Sequence, residues 1–492
     1  MGGIGVGQLR PQVTIGTLPD DVLLKIFKSF VDAMGFDGSV SDEWHTLVHV
    51  CRRWRYLAFT SPRHLNLQLY YNPSRRSGKD MLEIWPELPI CIHVIGGLMK
   101  VDRDDCIATL RLNHRVSGIR LEKTSDLARE TILSQMRCPF PALTHLLVRL
   151  EYSFVNATIS AVSRSFLGGS APSLQVLALV WFPFPALPEL PLSSTNLTRL
   201  EYDHIPPTGY ISPQAMVIGL SALTRLESLS LSFQSCEDLP DMASRILPPH
   251  TRTLLPALTN LRFRGVPEYM EDFVAQIDAP LLESMVATFF LREVLEVSQL
   301  AKFVHRADKL SSLDQAEVTF KGDRITLNLS QELHMINPKS LMLNLSCPQW
   351  ALQLSYFARF CASCLPTLSG FECLLIHVPT RYTWEDVIGD PDPQWPELLH
   401  PFHAVKDLRL SKYIAPHIAQ VLRRLPVEQV SEVLPALEAV FIAGLKPFGP
   451  VKEATSEFAD ARQRSGHPVS IFDWEERDHD ILEDVCHLYD YM

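Results

Sequence analysis

The sequence predicts an α/β chain: a small all-α module at its start, followed by an irregular α/β solenoid. Three observations carry this reading. Apolar residues repeat at helical spacing over residues 17–60. Beyond them one strand-like pattern recurs along the chain. The 492 residues hold 36 prolines against 22 glycines, which suits many short elements that stop abruptly and disfavours a long-helix bundle. Hydrophobic residues make up 46% and charged residues 21%, close to the soluble average, so wholesale disorder is excluded.

Taken in order, residues 1–16 are rich in glycine (Gly2, Gly3, Gly5, Gly7). No strand precedes them and no Gly-Lys-Ser follows, so they read as a disordered tail and not as a phosphate loop. Val6 stands where a myristoylation signal needs Ser or Thr, and no charged-then-apolar secretory segment is present. The first helix is expected from Thr17-Leu18-Pro19-Asp20-Asp21. Thr17 would cap it, Asp20 would favour the helix dipole, and Pro19 is tolerated in a first turn. Val22, Leu23, Ile26, Phe27 and Phe30 follow at helical spacing. A second helix is expected over residues 43–59, with Trp44, Leu47, Val48, Cys51, Trp54, Leu57 and Ala58 on its apolar side, ending at Ser61-Pro62. Arg52, Arg53 and Arg55 on the other side suit a solvated face. The chain's net charge of −11 argues against a nucleic-acid surface.

Leu18-Pro19-Asp20-Asp21-Val22-Leu23-Leu24-Lys25-Ile26-Phe27, followed by Val50-Cys51-Arg52-Arg53-Trp54, resembles an F-box spanning residues 17–65. Residues 31–42, with Gly35 and Gly38, exceed the usual connection and are expected to loop out. The resemblance implies binding to the Skp-type adaptor of a Skp/cullin/F-box ubiquitin ligase, and through it to a cullin. The adaptor-facing positions it implies are Leu18, Pro19, Leu23, Ile26, Val50, Cys51 and Trp54. A module of about 45 residues is too small to bury two apolar helix faces by itself. The surplus would face a partner or pack on the rest of the chain.

The recurring pattern is L-x-x-L-x-φ, with φ apolar. It appears as Leu143-Thr144-His145-Leu146-Leu147-Val148 and again over 174–179, 197–202, 226–231, 258–263, 282–287, 405–410 and 437–442. Clear neighbours start about 23 to 32 residues apart. The second Leu and φ lie two apart and so share one face of a strand. Stacked strands then cover one another's edges. Residues 271–277 are a short helical candidate between strands. Over 293–396 the register is poor, although Leu327-Asn328-Leu329 and Leu343-Asn344-Leu345 read as strands. The pattern resembles degenerate leucine-rich repeats over residues 66–447. Phe182, Ile205 and Val266 stand near the place of the usual Asn. The alternative is a nonrepetitive α/β domain with parallel strands.

From residue 17 to about 474 the chain is also similar to a large F-box family of mushroom-forming fungi. The resemblance lies in Cys51-Arg52-Arg53-Trp54-Arg55, Ser61-Pro62-Arg63-His64-Leu65-Asn66-Leu67, Ile84-Trp85-Pro86 and Ser165-Phe166-Leu167-Gly168-Gly169. It continues in Gly209-Tyr210-Ile211-Ser212-Pro213, Ala275-Gln276-Ile277-Asp278-Ala279-Pro280, Leu399-His400-Pro401-Phe402 and Ser465-Gly466-His467-Pro468. It implies architecture and an adaptor role, with no particular substrate. Residues 448–492 form a closing segment. Over 473–490 it carries eight acids and one Arg477, and it reads as a solvated acidic tail or a short capping helix.

Chemistry is expected to be absent. No G-x-S-x-G, H-E-x-x-H or G-x-x-x-x-G-K-[ST] occurs, and no cofactor is implied. Ten cysteines form no disulfide framework, and Cys236 and Cys347 sit in apolar runs. Cys361 and Cys364 make a C-x-x-C pair with no second pair at zinc spacing. Asp478-His479-Asp480 with Cys486-His487 matches no standard metal site. The apolar stretch 175–192 contains Pro183, Pro185, Pro188 and Pro191, so it cannot span a membrane as a helix. Without a secretory signal the Asn156 and Asn196 glycosylation patterns carry no weight. Cytoplasm, nucleus or both is the expected location.

The expected function is substrate recognition: the F-box docks the adaptor and the solenoid holds a target protein. The target would meet exposed strand residues at His145, Arg149, Arg199, Glu201, Arg225, Arg262 and Arg264. Several arginines suit an acidic or phosphorylated segment, and equally an ordinary solvated strand face. Two alternatives stand beside it: an interaction scaffold not linked to ubiquitin transfer, and an enzyme on a solenoid.

Overall fold

The structure is a computed structural model. It describes residues 15–35, 44–72, 82, 88–96, 100–123, 126–149, 166–181, 193–234, 251–290, 298–310, 313–321, 324–331, 340–346, 350–364, 370–379, 395–426 and 428–475. The chain is mixed α/β, with 12 α-helices and 18 strands among the described residues. It divides into two compact units. The first holds the described residues up to 149 together with 166–173, and the second those from 174 onward.

The first unit opens with three helices: α1 (Asp20–Gly35), α2 (His45–Val50) and α3 (Arg52–Thr60). Asp20 is the first helical residue, so Thr17 lies in a preceding 3-10 turn and is not the N-cap. Asp20 and Asp21 both occupy the first turn, where the dipole favours acids. Of the stretch expected to loop out, residues up to Gly35 continue α1; 36–42 lie outside the described residues. The single helix expected over 43–59 is two. Cys51 is extended (φ −157°, ψ 171°), and its Sγ accepts the Trp54 N–H at 3.5 Å, capping α3. Four parallel strands follow in chain order: β1 (Leu69–Tyr71), β2 (Ile90–Ile95), β3 (Val116–Glu122) and β4 (His145–Arg149). Between them lie α4 (Lys100–Leu110) and α5 (Asp126–Gln135).

The second unit repeats one strand device. β5 (Val176–Val180), β6 (Arg199–Ile205), β7 (Ser228–Phe233), β9 (Asn260–Gly265) and β11 (Ser284–Phe290) are parallel neighbours. In each the strand begins two residues after the first Leu of the sequence pattern. That Leu is buried at Leu174, Leu197, Leu226, Leu258 and Leu282. A tight turn sets it: Leu197, Leu226, Leu258 and Leu282 each donate their N–H to the carbonyl three residues back. The next two N–H groups then reach a carbonyl of the preceding repeat. Thr198 and Arg199 donate to Gln175, Glu227 and Ser228 to Thr198, and Thr259 and Asn260 to Glu227. Each repeat thus satisfies the backbone of its neighbour.

A small parallel pair, β8 (Thr253–Leu254) and β10 (Ile277–Asp278), stands apart from this sheet. The helix expected over 271–277 is α7 (Pro267–Val274), preceded by α6 (Pro213–Leu220). α7 starts earlier because Pro267 takes its first turn, and Ile277 belongs to β10.

Over 293–396 the strand order inverts. After α8 (Ser298–Arg306) come β12 (Gln315–Lys321), β13 (Arg324–Ser330) and β14 (Ser340–Ser346). β14 joins β11, β13 runs antiparallel to both β14 and β12, and β12 joins β15 (Cys373–His377). The chain then resumes parallel order through β16 (Asp407–Leu410), β17 (Ala439–Ala443) and β18 (Ser470–Trp474). The connecting helices are α9 (Trp350–Cys364), α10 (Trp395–Leu399), α11 (Ala415–Arg424) and α12 (Pro450–Arg464).

From α6 to α12 each helix packs on the next, giving a second layer beside the strands. Its core is aromatic. Tyr269 of α7 lies 4.7 Å from Phe233 and 5.8 Å from Phe263, and Phe289 lies 6.1 Å from Phe263. Tyr269 is fully buried, so burial pushes its phenol well above the ordinary value, and its hydroxyl donates to the Ile211 carbonyl at 3.1 Å.

Candidate functional site

The helices of the first unit present the first candidate surface. Their apolar faces close on one core of Leu23, Phe27, Trp44, Leu47, Val48, Leu57 and Ala58, which continues into Leu65, Leu67, Leu69 and Leu88. Part of the surplus apolar surface therefore packs on the chain beyond residue 65. Leu23 is fully buried, which corrects its expected place on the surface: it faces Phe27's side of α1 and supports the exposed residues from beneath. Leu18 and Trp54 are half-buried against the same core, with the Trp54 ring 4.7 Å from Phe27. Pro19, Ile26, Val50 and Cys51 are exposed. Two further apolar side chains stand out on α3, Tyr56 and Phe59, at 67% and 38% exposure. Neither stands among the positions singled out in the sequence.

One arginine fixes this surface. The Arg53 guanidinium donates to Asp20 Oδ1 at 2.9 and 2.5 Å, to the Gly16 carbonyl at 2.7 Å and to the Leu18 carbonyl at 2.6 Å. It ties the start of α1 to α3 and sets where Leu18 and Pro19 sit. Arg55 donates to the Val48 carbonyl at 2.9 Å, linking α3 back to α2. Two of the three basic residues on this helix thus hold the module together.

The expected target residues fall in both units. In the first, His145 is exposed at the start of β4, with Nδ1 2.8 Å from the Thr144 hydroxyl; Arg149 is half-buried at its end. In the second, Arg199, Glu201, Arg262 and Arg264 share the outward face of neighbouring strands. Arg199 donates to Glu201 at 2.9 Å, and the Arg264 guanidinium lies 5.3 Å over the Phe290 ring. Arg225 is not a strand residue. It sits in the turn before β7 and donates to Asn196 Oδ1 at 3.0 Å.

Sequence reading did not single out the end of β6. Asp203 and His204 occupy a bulge where the pairing with β7 shifts, and His204 has φ 51°. The His204 ring stacks on Trp181 at 4.1 Å, and its Nδ1 lies 3.0 Å from Asp203 Oδ2. Burial pushes the Asp203 carboxyl up, but its hydrogen bonds with His204 and Ser232 outweigh that and hold it below the usual carboxylate value. The Ser232 hydroxyl is buried and makes no hydrogen bond to the imidazole. The trio therefore lacks the base-to-hydroxyl contact that activates a serine.

Among the described thiols Cys106, Cys361 and Cys373 are buried, Cys91 is half-buried, and Cys51 and Cys138 are exposed. Burial pushes Cys91 and Cys106 up to about 12, and Cys361 higher still. Among the described residues no group of three or more His, Cys, Asp or Glu side chains gathers as a metal site. Cys236, Cys347 and the acidic residues beyond Glu475 lie outside the described residues. No described helix is long and apolar enough to cross a membrane. Comparison with protein-family models, curated proteins and solved structures finds no match to this chain.

Proposed function

We propose that the chain is the substrate-recognition subunit of a Skp/cullin/F-box ubiquitin ligase. The adaptor docks on the N-terminal helices, and a target docks on the outward strand face of the second unit. The observation that carries the reading is that apolar Pro19, Ile26, Val50, Tyr56 and Phe59 are each exposed on helices whose shared core is filled by other residues. Apolar side chains in excess of a filled core suit a partner surface. The F-box resemblance, which includes Pro19, Ile26 and Val50, names the partner class.

In this reading the chain forms no covalent intermediate. It raises the local concentration of target beside activated ubiquitin, so the rate gain is one of proximity. The variants that follow from the geometry are Ile26→Glu and Val50→Glu. Both side chains are exposed, so a folded variant that no longer retains the adaptor localises the contact. The scaffold alternative parts from this one in cells. Captured partners accumulate when the proteasome is blocked if the chain delivers them, and stay constant if it only binds them.

A further inference from the structure

We propose that Arg409, on the outward face of β16, seats one carboxylate of a target-protein segment, and that exposed Phe472 on β18 takes an aromatic side chain of the same segment. This deepens the target-surface reading and rests on it, but not on adaptor binding.

Strand alternation places the residues. Leu408 and Leu410 of β16 turn into the core, so Asp407 and Arg409 face outward. The parallel register carries one outward row across the sheet, from Leu375 of β15 to Arg409, Phe441 of β17 and Phe472. Cys373, Leu375 and His377 share the outward side of β15 but are buried, so the open face begins at β16. Exposure then rises along the row. Arg409 and Phe441 are half-buried, and Phe472 is 47% exposed.

Arg409 stands out for what its guanidinium lacks. Its Cζ lies 5.4 Å from the Phe441 ring centre and 6.0 Å from that of Trp474. Cation–π attraction holds the charge over these rings but offers no oxygen to its N–H groups. Among the described residues no oxygen accepts from them, and the Nε is buried. Asp407, two residues back on the same face, makes no ion pair with it. A buried donor without an acceptor is costly, so a cation held in this way calls for an anion from outside.

The planar fork of a guanidinium matches a carboxylate or a phosphate. Asp407 lies about 6.6–7 Å away along the strand and repels a dianionic phosphate more strongly than a carboxylate. The aromatic end of the row gives the second half of the ligand. The Phe472 ring stacks on Phe441 at 5.2 Å and stays open to solvent, two strand spacings or roughly 10 Å from β16. An extended segment carries same-side residues about 6.6–7 Å apart, and the reach of two long side chains covers the remainder. An acid and an aromatic residue two positions apart can therefore meet both.

The test uses the full-length chain and three labelled peptides: Gly-Ser-Glu-Gly-Phe-Gly-Ser, its Gln counterpart and its phosphoserine counterpart. Fluorescence anisotropy at low salt is expected to show the Glu peptide binding at least about tenfold more tightly than the Gln peptide. Arg409→Gln should erase that preference while keeping the wild-type melting temperature, because no hydrogen bond within the chain is lost. Arg409→Lys keeps the charge without the fork and should fall between. Phe472→Ala should weaken both the Glu and the Gln peptide and leave their ratio unchanged. Equal binding of these two peptides overturns the proposal, as does failure of the Glu peptide to bind at millimolar concentration. So does an undiminished preference in a folded Arg409→Gln chain. Tighter binding of the phosphoserine peptide overturns the carboxylate assignment. Adaptor co-elution from the same preparations reports on the ligase reading separately.

Discussion

Arg462 of α12 gives the sharpest test of how the second unit is held together. The residue is fully buried, and among the described residues no carboxylate pairs with it. Its guanidinium donates instead to three carbonyls: Val430 at 3.0 Å, Pro435 at 3.3 Å and Leu437 at 3.2 Å. These belong to the segment that leads into β17. Burial lowers its pKa, yet a guanidinium starts so high that it stays charged at neutral pH. Arg462→Met keeps length and apolar stem but removes every donor. Each orphaned buried carbonyl costs about 1–3 kcal/mol. Relief of a desolvated cation returns part of that. The net expectation is a loss of about 2–4 kcal/mol. Arg462→Lys keeps the charge but cannot fork to three acceptors, and should fall between. The assay is denaturant unfolding of each variant, with amide exchange over 428–443 locating the loss. A methionine variant within about 0.5 kcal/mol of wild type, with unchanged exchange there, would refute the reasoning.

Further predictions follow from other contacts. Glu271→Gln should cost about 1–2 kcal/mol, read as a lower melting temperature, because the carboxylate accepts the Gln299 and Leu300 N–H groups at 2.8 Å each and so caps α8. Arg53→Lys keeps the charge opposite Asp20 but loses the fork to Gly16 and Leu18, so amide exchange at residues 15–19 should rise while the rest of the first unit stays protected. Burial lowers His417 to about 4, below the ordinary 6.5, so the unfolded chain binds its proton first as pH falls. The stabilisation from its neutral form is therefore complete above about 6.5 and declines toward pH 4. His417→Gln should flatten the stability profile in that window.

The strands were legible where sequence and hydrogen bonding share one device. In L-x-x-L-x-φ the first Leu is buried by a turn that any apolar residue closes, as Val405 does in the same place, so the pattern marks strand starts in both units. β13 and β14 were legible only as strands, and β12 was not singled out. Alternation of period two reports a half-buried strand but not its neighbour, so the inverted order could not be read from it. The break at Cys51 was hidden because one extended residue barely disturbs an apolar helical pattern. Leu23 and Ile26 both fit the motif, and only packing separates a core side chain from a surface one. Arg462 and Glu271 carry no local signal that separates them from helix-surface charges. Their partners lie 25 to 32 and 28 to 29 residues away.

Adaptor docking is measured by co-expressing the full-length chain with a Skp-type adaptor and asking whether the two elute together. Co-elution is expected, and should be lost in Val50→Glu and Ile26→Glu chains that keep the wild-type melting profile. Separate elution of well-folded wild-type chain and adaptor would contradict it, and would leave the second unit as a binding protein outside ubiquitin transfer.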